Sequence, residues 1–359
     1  MRKSIFYNTL SAFLLTLGFI SCNNEDDTIV TDNRCNHISF SAPEIKLSGN
    51  DTRAIVEGTT FPNNESFGVL GYCLANVAGT TNLDTNTGTT AWNNKKELCT
   101  PHLFRHLQVT KNNAGCTYTA VKNTTTKQDV TNGLVAWYPD NDYRYTFLAY
   151  YPYNNVWTVP AINTLGEPTI SYTVSDISNN PDLMVAANVD AMRGDGSVKF
   201  NFKHQMTGIT LRVNNYDDGN VLTVNSLDFT GTFHKTLSIK PDLSPSVSGT
   251  YTDTHNYGSF TVNKDTSKDL ATLLFLTNGV SNIGSNVKIT INYKSLITGN
   301  NTYKELPLAT YLPSFNPQPG VIYTLQLTFI GNALTLEVID ANSGQWEGGD
   351  DVDSDITFE

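Results

Sequence analysis

The sequence predicts an all-β protein built as two tandem antiparallel β-sandwich domains, and three observations carry that prediction. Apolar and polar residues alternate through many short segments, the pattern of strands with one face on a core and one in water. Long helical periodicity is scarce: "KKELCTPHLFRHLQV" (95–109) is the most helix-like stretch, and Pro101 interrupts it. After an export signal, roughly 330 residues remain, more than one typical domain needs.

The chain opens with Arg2 and Lys3, an apolar run from Leu10 to Ile20, small Ser21, and then Cys22. A membrane-spanning helix needs about 20 apolar residues, so this run reads as a cleaved signal (1–21) rather than a span. The arrangement around Cys22 is that of a bacterial lipobox, whose thiol takes a diacylglycerol with palmitate-type chains; an ordinary signal with a chance cysteine is the alternative. Glu25, Asp26 and Asp27 follow closely, so residues 22–35 read as an acidic tether too polar to bury a core. Both readings place the protein outside the cytoplasm, attached to the outer membrane if Cys22 is acylated.

Strands dominate the rest. "ESFGVLGYCLA" (65–75) and "YRYTFLAYY" (143–151) are rich in aromatic and β-branched residues. "VKFNFKH" (198–204), "GITLRV" (208–213), "VKITINY" (287–293), "YTLQLTF" (323–329) and "LTLEV" (334–338) alternate cleanly. The Gly-rich "AMRGDGS" (191–197) is read as a boundary, giving sandwiches over 36–195 and 196–345 and an acidic tail over 346–359.

Net charge is −11, and no Lys or Arg follows Lys304, which argues against nucleic acid as a partner. Phosphate-cradling glycine loops, G-x-S-x-G elbows and H-E-x-x-H motifs are missing from the sequence, so neither an enzyme nor a cofactor is called for. Cys99, His102, His106 and Cys116 offer zinc-type ligands, but Pro101 disturbs the helix that would align the histidines, and surface histidines beside a bridged or buried cysteine are preferred. Asp351, Asp353 and Asp355 resemble half a calcium loop that lacks its glycine and its closing acid. "RGD" at Arg193–Asp195 reads as a turn. Cys35, Cys73, Cys99 and Cys116 allow two bridges in three pairings, or buried free thiols; the sequence leaves these open.

Several pieces, in order, resemble the fimbrillin family, the type V pilus subunits of Bacteroidales. They are the lipobox, "TRAIVEGTTFPNNESFGVLGY" (52–72), "PDLMVAA" (181–187) with "VKFNFKHQMTGITLRV" (198–213), and "PGVIYTLQLTFIGNALTLEV" (319–338) with "GQWEGG" (344–349). The segment between Gly79 and Val130 carries no matching feature. The resemblance implies two transthyretin-like sandwiches, a cell-surface location, and assembly with other pilin subunits by strand exchange. In that scheme an arginine-specific protease removes an N-terminal strand, and a neighbour's C-terminal segment fills the groove by β-augmentation.

Carried onto this chain, "HISFSAPEI" (37–45) is the removable strand, with Ile38, Phe40 and Ala42 expected on its inward face. Arg53 is the preferred cleavage point; a cut at Arg34 would leave the groove occupied. Ile356 and Phe358 in the short acidic tail are the candidate donor residues, and stalk, tip and accessory roles stay open. A host or bacterial surface ligand is the expected target of adhesion. The other reading is a glycan-binding surface lipoprotein outside any fibre, supported by aromatic content that includes Trp92, Trp137, Trp157 and Trp346.

Overall fold

The computed structural model describes residues 37–45, 61–74, 92–93, 96–121, 130–137, 143–216, 220–278, 286–331 and 333–342. Within them the regular structure is almost all strand, with one short helix at Leu308–Tyr311. Its first part supplies β1 (Glu44–Ile45), β2 (Ser66–Leu74), β3 (Phe104–Asn112), β4 (Gly115–Tyr118), β5 (Val130–Thr131), β6 (Leu134–Val135), β7 (Arg144–Tyr151), β8 (Ile170–Thr173), β9 (Met184–Ala191) and β10 (Asn201–His204). Then follow β11 (Thr207–Asn215), β12 (Leu222–Ile239), β13 (Pro245–Asn256), β14 (Phe260–Val262), β15 (Thr266–Asp269), β16 (Leu273–Phe275), β17 (Lys288–Lys294), β18 (Asn301–Pro307), β19 (Ile322–Ile330) and β20 (Ala333–Asn342).

A first sheet has the order β1-β10-β9-β7-β2-β3-β4. Its central strands are apolar on both faces, because both faces are covered. Phe67, Val69, Phe147, Ala149 and Met184 point into one core, whereas Leu70, Tyr72, Leu148, Tyr150 and Val185 point into another. The strict period of two along β2, β7 and β9 sends alternate residues to the two sides.

The later strands form a two-layer sandwich. One layer runs β15-β11-β19-β20, with β16 also on β11; the other runs β13-β12-β17-β18, with β14 and β8 also on β12. Ile209, Leu211, Leu325 and Leu327 from the first layer meet Val224, Leu227, Ile289 and Ile291 from the second. Strand β12 is long enough to serve two cores. Its early residues Leu222–Phe229 pack inside the sandwich, and Leu237 and Ile239 near its end reach the core beneath the first sheet.

The helix-like stretch at 95–109 holds only a 3-10 turn at Lys96–Leu98 before becoming strand β3. Pro101 cannot donate a helix hydrogen bond, and β3 instead finds partners on both sides, in β2 and β4. The stretch read as a boundary at 195/196 lies between two paired strands of the first sheet. Residues 192–197 reverse the chain between β9 and β10, which pair antiparallel through Lys203↔Val185 and His204↔Met184. Strand β8 meanwhile joins β12 of the later sandwich through Thr173↔Thr236. The sheets change over after His204, where its Nδ1 meets buried Asp182 at 2.8 Å.

Candidate functional site

Residues 37–45 lie along the open edge of the first sheet. They run parallel to residues 198–202, through Phe40↔Val198, Glu44↔Asn201 and Ile45↔Phe202. On the other side His37 bridges Ala136 antiparallel. Backbone hydrogen bonds hold both sides: Ile38 N donates to Val135 O at 2.8 Å, Val198 N to Ser39 O at 2.8 Å, Ser41 N to Val198 O at 3.0 Å, and Glu44 N to Phe200 O at 3.1 Å.

Ile38 and Phe40 are buried to 1% and 5% exposure. The Phe40 ring meets those of Phe104, Tyr118, Phe147 and Phe200, with centroids 5.6–6.0 Å apart. Part of that nest depends on Gly71, where a Cβ would come within 2.7 Å of the Phe104 ring. Burying side chains of this size is worth about 1.5–3 kcal/mol each.

Ala42 departs from the expectation: it is exposed, and Pro43 is buried in its place. The register gives the reason. Between Phe40 and Glu44 the segment advances four positions while its partner advances three, from Val198 to Asn201. A bulge of one residue switches every later side chain to the opposite face. Proline suits such a place because it has no N–H to contribute to the ladder.

Side chains from β4 add a second set of contacts. Tyr118 donates its hydroxyl hydrogen to Ile38 O at 2.7 Å and accepts from Val135 N–H at 3.2 Å. Burial pushes this phenol up to about 12, so it stays protonated and serves both roles. Cys116 donates its S–H to Ser41 O at 3.4 Å, and burial raises its thiol to about 11. Ser39 and Ser197 share a hydroxyl contact of 2.8 Å. Tyr118 and Cys116 sit in the stretch where the sequence offered no alignable feature, and no local pattern marks either as a neighbour of Ile38.

The zinc-type residues are not brought together. Cys99 packs in the core beneath the first sheet, and Cys116 packs against the core above it. His102 Nδ1 contacts Thr100 O at 2.9 Å, and His106 stacks on Tyr153 and meets the Tyr150 hydroxyl at 2.6 Å. Among the described residues, no group of three or more His, Cys, Asp or Glu is placed to hold a metal ion. Cys73 and Cys116 are free thiols. Arg193–Asp195 form a 3-10 turn in which the Asp195 carboxylate accepts from Met192 N at 2.7 Å. Trp92, Trp137 and Trp157 are buried to 2–5% exposure, which leaves them no free face for a sugar ring. Cys22, Arg34, Cys35, Arg53, Trp346, Asp351, Asp353, Asp355, Ile356 and Phe358 lie outside the described residues.

The fimbrillin-like family model matches residues 52–346. Among solved structures, a fimbrial protein from Bacteroides vulgatus ATCC 8482 is similar at 20% identity and a TM-score of 0.53, covering 83% of this chain and 98% of its own. A cell adhesion protein from Bacteroides ovatus ATCC 8483, described as such provisionally, shares 16% identity at a TM-score of 0.43, with 84% and 97% covered. The fimbrial anchor protein Mfa2 from Porphyromonas gingivalis shares 12% at 0.33, with 84% and 99% covered. No curated protein sequence matches the chain.

Proposed function

The chain belongs to the fimbrillin-like family, and from that premise we propose that it is a structural subunit of a cell-surface fimbria serving adhesion, assembled by strand exchange at the edge that residues 37–45 occupy. Fimbrillin-like proteins are structural and not enzymes. The observation that carries the reading is the way the first core is completed. Ile38 and Phe40 fill it from a short edge segment rather than from a central strand. Loss of that segment would expose the rings around Phe40 and unpaired backbone groups at Val135 and Val198. An incoming strand would cover both.

In this reading a cut after Arg53 severs the segment from the body of the subunit, and non-covalent packing keeps it seated until another subunit's strand replaces it. Cys22 carries the lipid that takes the precursor to the outer membrane. Other fimbrial subunits are the partners, and the adhesion target is a surface ligand on a host or bacterial cell. The test is a pair of variants in the producing bacterium. Arg53→Ala should block maturation and entry into fibres while leaving lipidation and folding intact, and Arg34→Ala should do neither. Normal incorporation of the Arg53 variant with residues 37–45 retained would overturn strand removal. Labelling with a fatty acid should mark the unaltered precursor and leave Cys22→Ser unmarked.

A further inference from the structure

The later sandwich turns one broad face to solvent, the outer side of β12, β13, β17 and β18, and the side chains there are mostly hydroxyls and amides. One place on this face is built by the backbone. Val224 pairs with Tyr293 and Ser226 with Asn292, so β12 carries one residue, Asn225, that has no counterpart on β17. A bulge of this kind re-aims a side chain. The Asn225 amide nitrogen donates to Asn292 Oδ1 at 3.1 Å and to Asn301 Oδ1 at 3.2 Å, which ties three strands together. Tyr303 stands directly opposite Asn292 and two positions from Asn301, on the same face, and is 62% exposed.

We propose that Asn225, Asn292, Asn301 and Tyr303 form a binding site for a neutral saccharide. This rests on the adhesion reading above and gives its target a chemistry. With the Asn225 nitrogen occupied by its two neighbours, the amide NH2 groups of Asn292 and Asn301 and the Asn225 carbonyl have no further partner among the described residues. They present donors and an acceptor side by side, and adjacent sugar hydroxyls, each able to donate and to accept, match such a set. The Tyr303 ring adds what amides lack, an apolar platform for the C–H face of a pyranose, with a hydroxyl at its rim. The buried rings of Trp92, Trp137 and Trp157 cannot take that part. Charge selects the class of sugar. Lys288 on the same face is paired with Glu305 at 2.8 Å, and the chain's net charge of −11 repels sialylated or sulfated glycans. Lys294, opposite Asn301, sets one cation against that field and adds a donor at the site's border.

The experiment applies the full chain to an array of neutral oligosaccharides from mammalian surfaces, their sialylated counterparts, and neutral bacterial polysaccharides in a separate block, which distinguishes a host from a bacterial source. The unaltered chain should bind neutral sugars and bind their sialylated forms less well. On the best neutral sugar, Tyr303→Ala should weaken binding about tenfold and Tyr303→Phe by no more than about twofold, because the ring does the stacking. Asn225→Ala should weaken it about fivefold, the effect of losing one well-placed set of hydrogen bonds. Tyr216→Ala, which removes a ring 51% exposed elsewhere on the sandwich, should leave binding unchanged. All three positions are exposed, and matching urea-unfolding midpoints establish that each variant is folded. Neutral-sugar binding that survives Tyr303→Ala and Asn225→Ala, a preference for sialylated forms, or no binding to any neutral sugar would overturn the site. Adhesion is judged separately, by attachment of fimbriated cells. Undiminished attachment by cells whose fibres carry Tyr303→Ala would overturn the site and leave adhesion standing, whereas unaltered fibres that promote no attachment would overturn adhesion itself.

Discussion

Two edges of this protein, one on the first sheet and one on the later sandwich, are made differently. The later sandwich ends in β20, which follows β19 directly in sequence and pairs with it from Ile330↔Ala333 to Ile322↔Asn342, with one irregularity between Thr324 and Leu325. The first sheet ends in residues 37–45, which pair with their neighbour in parallel, break register between Phe40 and Glu44, and lie far in sequence from every strand they touch. Ring packing does for the second edge what ladder length does for the first. An edge held mainly by two buried side chains can be exchanged for another strand bearing similar ones, whereas an edge held by the long ladder of a hairpin has no such route.

The strongest way to break this comparison is to remove one large ring from each core. Phe40→Ala and Phe229→Ala should each cost about 3–5 kcal/mol, the usual loss for a buried phenylalanine, measured by urea unfolding of the uncut chain. Only Phe40→Ala should also loosen residues 37–45 under native conditions. Equal loosening by Phe229→Ala would mean that the two cores unfold as one unit.

Cys116 reports that loosening from within the molecule. Its thiol is raised from 9.0 to about 11 while it lies against Ser41. A higher pKa leaves less of the reactive thiolate at any given pH. Release of the segment, by returning the thiol toward its ordinary value, should speed alkylation at pH 8 by about 10-fold, since the gain in thiolate is partly offset by its lower intrinsic nucleophilicity. Cys99, raised to about 12, is buried in the other core of the first sheet and serves as a control in the same chain. Unchanged Cys116 reactivity after the segment has gone would sink its role as a covered contact.

Tyr118→Phe should have a smaller effect. It deletes the hydroxyl between Ile38 O and Val135 N and leaves both without that partner. Orphaned buried groups of this kind cost about 1–3 kcal/mol. The loss should fall on the lifetime of the segment in the nicked chain, read as its rate of release on dilution. A variant that unfolds earlier but releases the segment at the normal rate would place Tyr118 in the general core instead.

Much of this architecture was legible in the sequence because alternation is local. The strands around Phe200, Leu211, Ile289 and Leu327 follow from period two alone, and those around Phe67 and Phe147 from aromatic and β-branched content. What was not legible is long-range. The turn near residue 195 was legible, but nothing there says that the strands on its two sides pair with each other. Strand β3 looked helical because its pairing with β2 and β4 is invisible in a window of fifteen residues. Tyr118 and Cys116 matter only because 80 and 75 positions of chain separate them from the carbonyls they reach.

Ala42 gives the finest test of the site, because its orientation turns on the bulge. Simple alternation from Ile38 and Phe40 would bury it, where a charged side chain would leave an uncompensated cation in the core and would cost several kcal/mol. The register instead turns it to solvent and buries Pro43. Ala42→Lys should therefore change both unfolding and segment release by no more than about 0.5 kcal/mol, the range of an ordinary surface substitution. A loss several times larger, with early labelling of Cys116, would mean that the segment sits in unbroken alternation, and the edge would then be held by three inward side chains before Pro43 instead of two.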